Sequence, residues 1–116
     1  MSNIPFQTID WSSIEKIEHK SKKSGTAWWQ TIQYDGLRIR LVEYSGGYIA
    51  DHWCEKGHIV HCLEGSFTSE LLGGEIYTLT PGMSYAVSDD LSSHRSLSET
   101  GVKLLIIDGD FLKLDK

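Results

Sequence analysis

Gly46-Gly-Tyr-Ile-Ala-Asp-His-Trp-Cys-Glu-Lys-Gly-His-Ile-Val-His-Cys-Leu-Glu-Gly65 holds three of the five histidines and both cysteines of this 116-residue chain. We read it as two short strands joined by Glu55-Lys56-Gly57. Side chains alternate faces along a strand, so His52 and Cys54 share one face and Trp53 takes the other. Past the turn, His58, Val60 and Cys62 share a face, opposite Ile59, His61 and Leu63. With like faces aligned, His52, Cys54 and His58 converge. The His-x-Cys spacing sets two donors about 7 Å apart along one face, near enough to lean toward a common point. Two imidazoles and a thiol are a transition-metal ligand set.

Short runs of β-forming residues flank this stretch. Thr26–Tyr34 and Leu37–Tyr44 read as strands joined by Asp35-Gly36, a strong two-residue hairpin signal. Phe67–Leu72, Glu75–Leu79, Met83–Ser88 and His94–Ser98 follow, separated by Gly73-Gly74, Thr80-Pro81-Gly82 and a polar loop at Asp89–Ser93. Val102–Ile107 is a nearly continuous apolar run, which predicts cover on both faces, inside a sandwich or at a dimer interface. Asp108–Lys116 reads as a last edge strand or as disordered. At the other end, residues 1–11 read as an extended arm. Ser12-Ser-Ile-Glu15 has the form of a capping box and predicts a short helix over Ser13–His19. The whole divides into an arm with a short helix at 1–25 and a barrel at 26–116. About nine or ten short strands with antiparallel turns predict an all-β roll or barrel, a class that often holds one ligand inside.

Two spacings carry a resemblance. Gly46-x5-His52-x-Cys54-x3-His58-x6-Gly65 is similar to the first cupin motif, Gly-x5-His-x-His-x3/4-Glu-x6-Gly. Gly74-x5-Thr80-x-Gly82-x2-Tyr85-x3-Asp89 matches the spacing of the second, Gly-x5-Pro-x-Gly-x2-His-x3-Asn. Asp51-His52-Trp53-Cys54, with Gly57-His58 and His94-Arg95-Ser96, resembles the small single-domain DHCW-motif cupins, over roughly Ile9 to Asp108. Cysteine stands where the second histidine is usual, histidine replaces the glutamate, and tyrosine replaces the last histidine. The resemblance implies a cupin-type double-stranded β-helix, or jelly-roll barrel. Cupins include dioxygenases, isomerases and small-ligand binding proteins.

A fourth ligand must come from across the barrel. His94 is the first candidate, because imidazole is the commoner ligand, and Tyr85 is the second. Zinc, iron, nickel and copper suit such donors, while magnesium and calcium do not. Four protein ligands would close the site; three plus water would leave room for chemistry. Tyr85 is then a candidate catalytic proton donor or ligand-orienting group, Arg95 a candidate anion holder and Glu64 a weaker candidate base. Asp51 reads as a turn or supporting group. Arg38 and Arg40 share a strand face and suit a carboxylate or phosphate ligand. A solvated outer face or subunit contact is the favoured reading of that pair. His19 reads as a surface residue at a helix end, and His61 and Cys62 as structural.

Formal net charge is −5, which gives nucleic-acid binding no electrostatic support. No apolar stretch is long enough to span a bilayer. The N-terminus lacks a basic region followed by an apolar one, so a cytoplasmic protein with reduced thiols is expected. A Cys54–Cys62 disulfide is not, since the two would not sit opposite each other in a tight hairpin. The small core, the Val102–Ile107 run and the arm point to a homodimer. Three functional readings stand: a metal-dependent cupin acting on a small molecule, a non-catalytic ligand-binding or sensing module with a redox-exposed Cys54, and a metal-free structural dimer.

Overall fold

The computed structural model describes residues 3–113. Residues 1–2 of the expected arm and 114–116 of the tail lie outside the described residues. Ten strands follow in order: β1 (Ile17–Lys20), β2 (Thr26–Tyr34), β3 (Leu37–Tyr44), β4 (Tyr48–Ile49), β5 (His58–Gly65), β6 (Phe67–Leu71), β7 (Ile76–Leu79), β8 (Ser84–Val87), β9 (His94–Ser98) and β10 (Val102–Gly109). They form a six-stranded sheet, β1-β2-β3-β10-β5-β8, and a four-stranded sheet, β4-β9-β6-β7. Every pairing between strands is antiparallel. The core joins the inner faces: Val42, Val60, Cys62 and Leu104 from one sheet meet Phe67 and Leu79 from the other. Large apolar side chains taken out of water in this way supply most of the folding free energy.

The expected helix over Ser13–His19 is not there. A single 3-10 turn spans Trp11–Ser13, and the chain is already extended at Ile14. The cap is Asp10, whose Oδ1 accepts from the Ser12 backbone N–H at 3.1 Å and from the Ser12 hydroxyl at 2.6 Å. With its hydroxyl committed backward, Ser12 cannot cap a helix running forward. Residues 17–20 instead add an edge strand to β2, and His19 lies against Trp29 with ring centroids 4.1 Å apart. The tail forms another 3-10 turn at Asp110–Leu112 rather than an edge strand.

β3 corrects the favoured reading of its two arginines. Leu37, Ile39 and Leu41 do share a face, but it is the outer one. Arg40, 6% exposed, points inward with Arg38. The register explains this: Arg38 pairs with Asp108 and Arg40 with Ile106, on the face of β10 that alternates Val102, Leu104, Ile106, Asp108 as buried residues. The buried Asp108 carboxylate draws both guanidiniums inside. The arm crosses the outer face, where the Gln30 amide donates to the carbonyls of Trp11 and Ile14 at 2.6 and 2.8 Å.

Candidate metal centre

β5 meets the alternation expected of it: His58, Val60 and Cys62 are buried on one face. The first half of the central stretch does not. β4 stops at Ile49, and residues 50–57 run as an irregular loop. The Asp51 carboxylate accepts from the Lys22 backbone N–H at 3.2 Å and pairs with His52 Nδ1 at 2.7 Å, which bends the chain outward. The His52 side chain is consequently 81% exposed, at the rim. The loop returns at Cys54, which exchanges two backbone hydrogen bonds with His94 of β9, at 2.7 and 3.0 Å. It then closes at Gly57, whose N–H donates to Asp89 Oδ1 at 2.6 Å. A Cβ at Gly57 would meet Val87 O and Asp89 N at 2.6 Å, so only glycine lets the loop reach this close to β8.

The structure brings together Cys54, His58 and His94, whose donor atoms lie within 4.8 Å of one another. His52 is not in the cluster, because His52 and Cys54 do not share a strand face once the loop leaves the pleat. His94, the expected far-side ligand, is the cross-strand neighbour of Cys54 instead.

Each imidazole is held by its Nδ1. His58 Nδ1 faces Asp108 Oδ2 at 3.2 Å, and His94 Nδ1 donates to the Ser92 carbonyl at 2.8 Å. Both Nε2 atoms are thereby left for the centre. His58 Nε2 lies 3.5 Å from Cys54 Sγ, and His94 Nε2 is buried with no hydrogen-bond partner. A buried polar atom without a partner is costly unless a ligand completes it. A second group that orients a metal-binding histidine is a regular feature of such sites. The spacing fits too. Zn–S near 2.3 Å and Zn–N near 2.0 Å at a tetrahedral angle put sulfur and nitrogen about 3.5 Å apart.

Sequence reasoning passed over Asp108, which is 2% exposed. It takes two bonds from Arg38, at 3.0 and 2.9 Å, and one from Arg40 at 3.2 Å. Burial disfavours its charged form, but the hydrogen bonds from His58 and Arg38 and the charge of both arginines outweigh this and hold the carboxyl well below its ordinary range. The signal was present: Asp108 continues the every-second-residue pattern from Val102 through Leu104 and Ile106.

Burial likewise opposes ionisation of Cys54, yet the hydrogen bond with His58 and the closeness of His94 bring its thiol down to about 5. Burial pulls His58 downward, but Asp108 and Cys54 together raise it above its ordinary value. The two shifts act together: each group favours the charged form of the other, and Asp108 backs the imidazole. Tyr85 lies beside His94, ring centroids 5.9 Å apart, and burial raises its hydroxyl far above the usual range, so it stays a donor. Arg95 pairs with Glu70 at 3.1 Å and lies over Trp53 at 4.6 Å. Glu64 is outside the site, at the solvent-exposed end of β5, within 3.5 Å of Lys103.

The cluster opens on a cavity of about 250 Å³ between the sheets, walled by Trp29, Tyr44, Tyr48, Tyr85 and the inner side chains of β3, β5 and β10. A second cavity, of about 230 Å³, lies on the other side of Tyr85 and His94.

No family model matches this sequence, and no curated protein matches it. Solved structures do resemble it. Ectoine synthase from P. lautus superposes with a TM-score of 0.72 at 21% identity, covering 94% of this chain and 80% of that one. An RmlC-like cupin from Shewanella frigidimarina gives 0.69 at 19%, covering 90% and 91%. A polyketide cyclase from Streptomyces resistomycificus gives 0.72 at 16%, covering 90% and 80%. The chain therefore has the jelly-roll fold of cupin-type proteins. Neighbours sharing that fold include enzymes.

Proposed function

We propose that this protein is a metal-binding cupin in which Cys54, His58 and His94 ligate one transition-metal ion, zinc ahead of iron or nickel, beside a cavity that takes a small molecule. One observation carries the reading: a thiol and two Nδ1-anchored imidazoles lie within 4.8 Å, with one buried Nε2 left without a partner. One sulfur and two nitrogens are a zinc donor set, and three protein ligands leave a position open as in catalytic sites. A metal held there would act as a Lewis acid toward an oxygen of the bound molecule. The chain's own residues do the rest. Asp108 fixes the His58 ring, Tyr85 donates a hydrogen bond or a proton into the cavity, and Trp29, Tyr44 and Tyr48 keep water from its walls. The Asp51–Cys54 wording supports the narrower placement among DHCW-motif cupins. Elemental analysis of tag-free protein tests the centre: about one transition-metal ion per chain is expected, and metal-free protein that takes up no zinc on dialysis would overturn it.

A second reading has its own observation. Cys54 Sγ, His58 and Asp108 stand in line, at 3.5 and 3.2 Å, as a thiol, a base and the group that orients the base. In metal-free protein this makes Cys54 a reactive thiolate suited to a sensing module.

We further infer a cytoplasmic homodimer. Both cysteines are free, and no helix among the described residues is long and apolar enough to cross a membrane. Ile39 and Leu41 of β3 adjoin Leu105 and Ile107 of β10 on the outer face, giving an apolar surface for a second copy. A monomeric mass by light scattering at micromolar protein would refute the dimer.

A further inference from the structure

The cavity's charges are unevenly balanced. Arg38, Arg40, Lys56 and Arg95 line it, and Asp51 is the only carboxylate among the described residues that does. Two of those cations are matched one to one: Lys56 with Asp89 at 4.0 Å, and Arg95 with Glu70 at 3.1 Å. Arg38 and Arg40 instead share Asp108, and the same carboxylate also faces His58. A surplus of positive charge therefore sits at one place, in a chain of net charge −5.

The donors there are not used up. Arg40 gives only Nη2 to Asp108, and its buried Nε has no partner although the residue is 6% exposed. Its guanidinium lies over the Trp29 ring at 4.7 Å, which fixes the plane of the fork. Arg38 gives Nε and Nη2 to Asp108 and keeps 30% of its side chain exposed. Planar forks with spare N–H groups recognise carboxylates in two-point fashion. Tyr44, Tyr48, Val60, Leu104 and Ile106 give the cavity an apolar and aromatic stretch of wall. A volume of about 250 Å³ equals the liquid volume of about eight waters, so the occupant is small.

We propose that the ligand of this site is a small organic carboxylate with an apolar body, its carboxylate held by Arg38 and Arg40 and its body against the aromatic wall. This deepens the metal-centre reading and rests on it for the placement of the reacting end. The metal's positive charge adds to the same preference.

Zinc-loaded, tag-free protein titrated calorimetrically with benzoate and hexanoate, against benzamide, hexanamide and inorganic phosphate, tests the proposal. The two acids are expected to bind at least tenfold tighter than their amides, the scale of a hydrogen-bonded charge. Arg38→Gln is expected to remove that preference while zinc stoichiometry stays unchanged, and Lys103→Gln, a cation on the outer face of the same sheet, to leave it intact. Should Arg38→Gln not fold, Arg38→Lys decides, because it keeps the charge and loses the fork: weaker acid binding with zinc retained supports the proposal. Equal binding of acids and amides, binding of phosphate alone, or an unchanged preference in the folded Arg38 variant overturns it. Failure of the wild type to hold zinc would sink the metal centre separately. The acid–amide contrast, repeated on metal-free protein, would still decide for or against the arginine pair.

Discussion

The two cysteines mark opposite ends of one barrel interior. Cys62 sits among Phe67, Leu79 and Leu104, and burial alone pushes its thiol upward. Cys54 sits among His58, His94 and Asp108, and its thiol falls to about 5. The same inward strand faces connect the two ends. β5 runs His58, Val60, Cys62; β10 runs Asp108, Ile106, Leu104, Val102; β3 runs Arg38, Arg40, Val42. Each has a polar end and an apolar end, and the antiparallel registers bring the polar ends together. The apolar end holds the sheets together by burial, which leaves the polar end able to carry unmatched donors that a core would not tolerate.

Several measurements would break or sharpen this contrast. The largest effect is expected at the polar end: His94→Ala and Cys54→Ser should each bring metal content from about one ion per chain to near zero, by elemental analysis of dialysed protein. Metal held at full occupancy in either variant would break the assignment. Next, Asp108→Asn leaves two arginines facing a neutral group. It should cost about 3–5 kcal/mol in chemical denaturation, the range for a buried pair that loses one partner. At the apolar end, Leu104→Ala should cost a similar 2–5 kcal/mol through the cavity it leaves, with metal content unchanged. A variant there that also lost metal would show the two ends to be one cooperative unit.

The pH behaviour of the thiols gives a subtler comparison. The thiolate is the nucleophile, and Cys54 ionises near 5 rather than at its ordinary 9.0. In metal-free protein its alkylation by iodoacetamide should rise through about pH 5 and be level by neutrality. At pH 7 its thiolate fraction is about a hundredfold that of an ordinary cysteine. Cys62 should stay unmodified until the protein unfolds. Zinc should protect Cys54, and a thiol that alkylates only above pH 8 would remove the ion pair. The smallest effect is expected for His52→Ala: stability within about 0.5 kcal/mol of wild type and full metal content, as for an exposed side chain outside the cluster.

Much of the barrel was legible from local chemistry. β2, β3 and β9 start and stop where their β-forming runs do, and Asp35-Gly36 turns β2 into β3. Strict alternation located the inner face of β5, and with it His58 of the cluster and the core-facing Val60 and Cys62. The misreading of the central stretch has one cause. Alternation holds only while the backbone stays pleated, and residues 50–57 leave the pleat because Asp51 takes partners from Lys22 and His52. That moved His52 to solvent and left Cys54, His58 and the expected His94 together. The arginines of β3 were misplaced because a lone charged face resembles a solvated one until its buried counter-ion is known. The counter-ion lies 70 residues away in sequence from Arg38.

By itself, then, the order of residues determined the strands, the turns and the kinds of donor atom available, because those depend on neighbours along the chain. Which three donors meet, which face of β3 is inside, and why one thiol is acidic and the other inert depend on strand register across the sheets. Register is decided by burial and ion pairing between segments far apart in sequence, so only the tertiary structure could supply it.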